Sequence, residues 1–259
     1  MDFLRCLYGG FCLLRSCISR RYFNTLCFSG GLCCSLGKNG CGKSTVFACV
    51  NREIKYAGNI CIGSENISKM ASVERAKKIA ILPQYLEKVH ITVNELVMFG
   101  RSPYIGFGQR PSELDRKIVD KCMHITGISD LSDSFVDEIS GGERQKSYLA
   151  MVLAQETPII MLDEPTTYMD ASVKAEFMKL IKSIQKENGK TVLIVMYDLE
   201  SAIKYADEVI ILDSGEVVFS GTVQECLKKT IIEQVFDVKQ KNLYDENNTR
   251  YVVFEKEDV

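Results

Sequence analysis

The chain has 259 residues, 46% of them apolar and 25% charged, with a formal net charge of −2. That length suits one large domain or two small ones with ample material for a core, and the near-neutral charge excludes a general nucleic-acid binder. No run of about 18 uncharged apolar residues is present, so no segment is expected to span a membrane.

The opening stretch, residues 1–36, is the hardest to read. It is apolar enough to suggest a leader, but Arg5 and Arg15 interrupt the run and no small-residue cleavage site stands out. Arg20-Arg21-Tyr22-Phe23-Asn24 shows no clean alternation, and Leu32 to Leu36 is a poor version of a buried strand. Residues 1–50 hold six Lys/Arg and one Asp, against 26 Lys/Arg and 33 Asp/Glu in the remainder. Eight of the eleven cysteines also fall before residue 50, at positions 6, 12, 17, 27, 33, 34, 41 and 49. None forms a C-x-x-C pair, and His90 and His124 lie far away, which argues against a zinc site.

From Gly37 onward the text becomes regular. Gly37-Lys38-Asn39-Gly40-Cys41-Gly42-Lys43-Ser44-Thr45 fits G-x-x-x-x-G-K-[ST], the phosphate-binding P-loop. Its glycines allow the loop to wrap a triphosphate, with N–H groups aimed inward at the positive end of the following helix. Lys43 is expected on the β- and γ-phosphates and the Ser44 hydroxyl on Mg²⁺. A P-loop enzyme works among reduced thiols, so a disulfide framework is not expected. Val46 to Val50 continues the helix, and Asn59 to Ile62 reads as a strand punctuated by Gly58 and Gly63. Ser72 to Ile79 is predicted helical with Ser72 as its N-cap. Ala80 to Leu82 is predicted as a short buried strand ending at Pro83-Gln84.

Helices are expected over Val93 to Gly100, Ser112 to Thr126 and Glu143 to Ala154, the last opened by Ser140-Gly141-Gly142. Ile159 to Leu162 and Val192 to Val195 are continuous apolar runs, as in a parallel sheet buried on both faces. A polar-faced helix, Ala171 to Asn188, separates them, and Val209 to Leu212 pairs with Glu216 to Phe219 as a hairpin across Asp213-Ser214-Gly215. Strands alternating with helices give an α/β fold, a P-loop NTPase core with a parallel sheet. The strand Ile159 to Leu162 delivers Asp163 and Glu164 at its C-terminal end, where open α/β sheets bind ligands. Asp163 is expected in the Mg²⁺ shell as a Walker B acid, and Glu164 as the general base on the attacking water.

Ser140-Gly141-Gly142-Glu143-Arg144-Gln145, placed before Walker B, resembles the signature motif of ABC-transporter ATPases. Glu164-Pro165-Thr166-Thr167 with Asp170 resembles that family's Walker B exit and D-loop, and Pro83-Gln84 its Q-loop. The resemblance spans about residues 37 to 255. It implies an ABC ATPase core with an inserted helical subdomain at about residues 85–150, the core running over 37–225 and an extension of the same domain over 226–259. It further implies two ATPase subunits, a homodimer, in a head-to-tail sandwich. Ser140, Gly141, Gly142 and Glu143 then meet ATP in trans, whereas Lys43, Ser44, Gln84, Asp163 and Glu164 act in cis, with Ser44, Gln84 and Asp163 about the Mg²⁺. Permease subunits in the membrane, and a substrate-binding protein indirectly, are the implied partners, and the cytoplasmic face of the cell membrane the implied location.

Ile91-Thr92-Val93-Asn94-Glu95-Leu96-Val97 and Gly100-Arg101-Ser102-Pro103-Tyr104 are similar to importers of ferric siderophores, haem and cobalamin, as are Gly221 to Glu225 and Val235 to Val238. The blander alternative is that Tyr85, Phe99, Tyr104 and Phe107 pack the helical subdomain. Two departures stand out. The family carries a histidine where this chain reads Met196-Tyr197-Asp198, and a phenol offers one donor where an imidazole has two nitrogens. The family's N-terminal strands and adenine-stacking aromatic are also not recognisable. Tyr8-Gly9 has the right look but sits 29 residues before Gly37, and a shifted reading frame or a misassigned start over residues 1–36 is the expected cause. Two function classes follow from the resemblance, the ATPase motor of an importer and an ATP-binding remnant that turns over poorly. A soluble ABC protein outside transport is a lesser third, since such chains commonly carry two cassettes.

Overall fold

The computed structural model describes residues 11–18, 21–23, 26–28, 31–167, 169–246, 248 and 250–256; the Tyr8-Gly9 pair lies outside them. The backbone divides into two compact units, Met1–Ser68 with Thr191–Val259, and Lys69–Lys190.

In the first unit, β1 (Phe11–Ile18) runs antiparallel to β2 (Arg21–Phe23), to β3 (Leu26–Phe28) and to a later strand, Ala57–Ile62. Strands therefore occupy the stretch where the sequence offers no alternation. The pairing with Ala57–Ile62 shifts register between Leu14 and Cys17, and such an irregularity resets the two-residue side-chain period on which strand reading depends. β4 (Gly31–Gly37) follows, buried from Leu32 to Gly37. Its core residues include Cys33 and Cys34, which pack as small hydrophobes, and burial pushes the Cys33 thiol well above its ordinary value. Helix α1 (Lys43–Asn51) leaves the P-loop, and β5 (Ala57–Ile62) and β6 (Glu65–Asn66) close this part of the unit.

The second unit is mostly helical. Helix α2 (Ser72–Ala76) is capped by Ala71, not Ser72, and stops three residues before the expected end. Ile79 instead opens β7 (Ile79–Leu82), paired in parallel with β8 (Ile159–Asp163) from Ile79↔Ile159 to Leu82↔Leu162, so tertiary pairing overrides local helical preference there. Helices α3 (Val93–Phe99), α4 (Glu113–Thr126), α5 (Gly141–Ala154) and α6 (Ala171–Asn188) match the expected spans closely. Thr92, Ser112 and Ser140 head α3, α4 and α5 as capping boxes with Glu95, Asp115 and Glu143.

The Gly100-Arg101-Ser102-Pro103-Tyr104 run ties this unit together. The Arg101 side chain, 3% exposed, donates Nε–H to Asp115 at 2.9 Å, and Nη1–H to Glu156 at 2.8 Å and to the Ala154 carbonyl at 2.6 Å. Its guanidinium lies 4.2 Å from the Tyr104 ring centroid, and the Tyr104 hydroxyl donates to the Gln155 carbonyl at 3.0 Å. Tyr104 thus packs as the blander alternative holds, whereas Tyr85, Phe99 and Phe107 are exposed.

Back in the first unit, β9 (Thr191–Val195) and β10 (Glu208–Asp213) flank β4 in parallel, and β11 (Glu216–Thr222) runs antiparallel to β10 across the expected hairpin turn. Ser214 and Gly215 both have positive φ, 49° and 88°, as tight hairpin turns of this hand require. Helices α7 (Leu199–Tyr205), α8 (Val223–Leu227) and α9 (Ile231–Phe236) and a hairpin of β12 (Val238–Tyr244) with β13 (Arg250–Lys256) complete it.

Candidate functional site

Parallel pairing in the first unit decides which side chains meet. β4 and β9 are in register from Gly31↔Thr191 to Ser35↔Val195, and Met196 N–H donates to the Ser35 carbonyl at 3.1 Å. The residues just beyond both C-terminal ends, the P-loop and Tyr197, are therefore neighbours. Gly37 packs so closely that a Cβ there would overlap the Leu212 carbonyl and Cys41 Sγ. Gly40, by contrast, has φ of 74° and nothing within 4 Å of where its Cβ would sit. Gly42, with φ of 110°, turns the chain into α1, where a side chain would strain the backbone. Lys38, Asn39, Gly40 and Ser44 are exposed, and Thr45 is half-buried. Lys38 pairs with Asp237, beyond the end of α9.

The Lys43 side chain has folded back over its own loop. It is 4% exposed, and Nζ donates to the Gly37 carbonyl at 2.6 Å and the Lys38 carbonyl at 3.1 Å, with Cys41 Sγ at 3.7 Å. The Tyr197 ring centroid lies 4.3 Å from the same nitrogen. No carboxylate is among these partners. A buried cation held only by carbonyls and a ring is a ready acceptor for an outside anion, and the open face at Gly40 leaves room for one, so the loop fits a polyphosphate. Tyr197 is free to project because Asp198 next to it caps α7, accepting from Glu200 N–H at 3.1 Å and Ser201 N–H at 3.2 Å.

The second unit carries the matching acids. Asp163 and Glu164 are buried at the C-terminal end of β8. Glu164 has φ of 48°, a left-handed backbone that an L residue holds only at a cost of about 1–3 kcal/mol. Gln84 Nε2–H donates to its Oε2 at 2.6 Å, and the Thr167 hydroxyl lies 3.3 Å from the same oxygen. Gln84, Glu164, Thr167, Gly141 and Arg144 line one cavity of about 210 Å³. The Ser140 Oγ accepts from Glu143 N–H at 3.3 Å, and Ser140 N–H donates to Glu143 Oε2 at 2.9 Å. That exchange with Ser140 holds the Glu143 carboxyl below its usual range. Gly141 is exposed and Gly142 half-buried on the first turn of α5. Asp170 caps α6, accepting from Ser172 and Val173 N–H at 3.1 and 3.0 Å.

A family model described as ABC transporter matches residues 24–167, more than half of the chain. The chain belongs to the ABC transporter family. It is 37% identical over 220 residues to the iron(3+)-hydroxamate import ATP-binding protein FhuC of Bacillus subtilis, covering 84% of this chain and 81% of that protein. To the ferric enterobactin transport ATP-binding protein FepC of Escherichia coli it is 39% identical over 206 residues, covering 79% and 76%. Among solved structures, a chain of a metal-chelate type ABC transporter in an inward-facing conformation superposes with a TM-score of 0.82 at 20% identity, over 96% of this chain and 98% of that one. CbiO1 of Clostridium perfringens, part of the CbiONQ ABC transporter complex, superposes with a TM-score of 0.74 at 28% identity, over 88% and 94%. The fold is that of an ABC ATPase domain, and the chain is an ATPase of the kind coupled to transport.

Three contributors to this ABC ATPase's site escaped sequence reading: the Tyr197 ring on Lys43, the Thr167 hydroxyl on Glu164, and the left-handed backbone of Glu164. Thr167 was in view within Glu164-Pro165-Thr166-Thr167, but the turn that brings its hydroxyl back, Thr167 N–H to the Glu164 carbonyl at 3.3 Å, leaves no compositional trace.

Proposed function

We propose that this chain is the ATP-binding and ATP-hydrolysing subunit of an importer for ferric siderophores. The single observation that carries the ATP reading is the buried Lys43 ammonium, held within hydrogen-bond reach of two loop carbonyls and no carboxylate. The siderophore reading is supported by relatives named for ferric hydroxamate and ferric enterobactin transport.

In this reading Lys43 and the N–H groups of Gly40, Cys41, Gly42 and Ser44 bind the phosphates. Gly37, Lys38, Asn39 and Thr45 shape that loop. Ser44, Asp163 and Gln84 offer the hard oxygen donors that suit Mg²⁺, which keeps water and phosphate ligands and needs no full protein cage. Bound MgATP supplies the phosphoanhydride whose cleavage powers transport. Glu164 takes the proton of the attacking water, and the Gln84 amide and Thr167 hydroxyl hold its carboxylate in place. Ser140, Gly141 and Gly142 act on the nucleotide of a second copy of the chain, with Glu143 fixing the Ser140 cap. The subunit works at the cytoplasmic face of the membrane on a permease fed by a substrate-binding protein; among the described residues no helix is long and apolar enough to cross a membrane.

A second reading, an ATP-binding subunit with impaired turnover, is favoured by Tyr197, which offers a phenol where the family pattern has an imidazole. Reconstitution with a ferric-siderophore permease in liposomes tests both. ATP-driven uptake, lost in Glu164→Gln, is the expected result. Tight ATP binding with neither hydrolysis nor uptake supports the second reading, and no ATP binding overturns both.

A further inference from the structure

The Lys43 ammonium has three N–H donors. Two point to carbonyls, Gly37 O at 2.6 Å and Lys38 O at 3.1 Å. The Tyr197 ring, centroid 4.3 Å from Nζ, takes the remaining side. The electron-rich face of a phenol attracts an ammonium, more strongly where water is excluded, and Lys43 is 4% exposed. The two loop carbonyls belong to the phosphate cradle itself and cannot leave without unfolding it. Tyr197 can leave: it is 47% exposed, and it stands between the end of β9 and the cap of α7 with its ring outside the core.

We propose that Tyr197 is a positioning residue that governs phosphate entry: its ring holds Lys43 when the loop is empty, and an incoming phosphate must displace the ring to reach the ammonium. The proposal rests on Lys43 being the phosphate cation. The ring lowers the apparent affinity for any di- or triphosphate, because part of the binding free energy goes into breaking the stack. It also keeps a desolvated ammonium partnered while no anion is present. The hydroxyl has no part in this, so phenylalanine should substitute for tyrosine and an aliphatic residue of similar bulk should not.

The probe is pyrophosphate, titrated calorimetrically into the full chain. Tyr197→Leu should bind it about 3- to 10-fold more tightly than the parent, the range that loss of one cation–π contact allows, and Tyr197→Phe should match the parent. An unchanged or weaker affinity in Tyr197→Leu overturns the proposal, as does equal tightening in Tyr197→Phe. Should Tyr197→Leu fold poorly, the parent itself gives the answer by NMR. The Lys43 ε-methylene protons should lie upfield of the other lysines through the ring current and return toward the ordinary position on adding pyrophosphate. Absence of that upfield shift overturns the stack. Lys43→Met separates the two levels: pyrophosphate binding that survives in it refutes the P-loop reading, whatever Tyr197 does.

Discussion

Two buried cations, one in each unit, are held in opposite ways. Arg101 is 3% exposed and meets Asp115 and Glu156, with the Tyr104 ring 4.2 Å away. Lys43 is 4% exposed and has a ring at almost the same distance, 4.3 Å, but only carbonyls and a thiol beside it. Taking a charge out of water costs several kcal/mol unless something offsets it. At Arg101 two carboxylates of the same chain do so, and the result is a strut that joins α4 to the end of α5. At Lys43 the compensation is partial, and the completing anion comes from outside the chain. Glu164 repeats the second pattern with the sign reversed, since its carboxylate is held by an amide and a hydroxyl and by no cation. A buried charge with neutral partners marks a binding or catalytic position, and one with counter-ions marks a structural one.

The difference can be broken by substitution. Arg101→Met leaves the Asp115 carboxylate buried beside the Ser112 hydroxyl alone, and should cost about 3–5 kcal/mol in chemical denaturation while the folded fraction still binds MgATP. Asp115 also sets a pH dependence. Its carboxyl is held below the usual range by the Ser112 hydroxyl first and Arg101 second. The stability it contributes is therefore full above the unfolded value of about 4 and fades as pH falls through the folded one. Arg101→Met should flatten part of that acid limb.

Glu164→Gln tests the anionic counterpart. It keeps the shape and exchanges a base for an amide, so turnover should fall by roughly 10²-fold or more, about 2.7 kcal/mol, with nucleotide binding retained. Equal steady-state rates for variant and parent would remove Glu164 from the base role. Tyr197→His gives the smallest effect. An imidazole adds a second nitrogen beside the phosphate cation, and kcat is expected to rise at least ~10-fold, equivalent to about 1.4 kcal/mol. A flat kcat would mean that Tyr197 already suffices for turnover.

The motifs of this site were legible because they lie on short contiguous runs: Gly37 to Thr45, Ser140 to Gln145, and Asp163-Glu164 at the end of an apolar strand. The parallel β9 and the β10–β11 hairpin announced themselves by uninterrupted apolar residues bounded by turn signals. β4 was obscured because cysteines occupy two of its core positions, and β1 because its partner lies some forty residues away and the register shifts along it. Contacts between side chains distant in sequence, Tyr197 on Lys43 and Gln84 on Glu164, depend on strand ends brought together by pairing, which no local pattern encodes. The role of Arg101 was hidden for a different reason: its motif was visible, but nothing in the run says whether the arginine faces a partner or the core.

The contrast between the two cations is tested most directly by the MgATP affinity of Lys43→Met, measured by calorimetry beside its unfolding midpoint. No carboxylate is orphaned when the Lys43 ammonium is removed, so folding stability should stay within about 1 kcal/mol of the parent or rise. MgATP affinity should fall at least ~30-fold, the loss expected when one partner of a buried charge pair is deleted. A variant that unfolds as Arg101→Met does, or one that binds MgATP as tightly as the parent, would contradict the assignment of Lys43 as a cation held for the nucleotide.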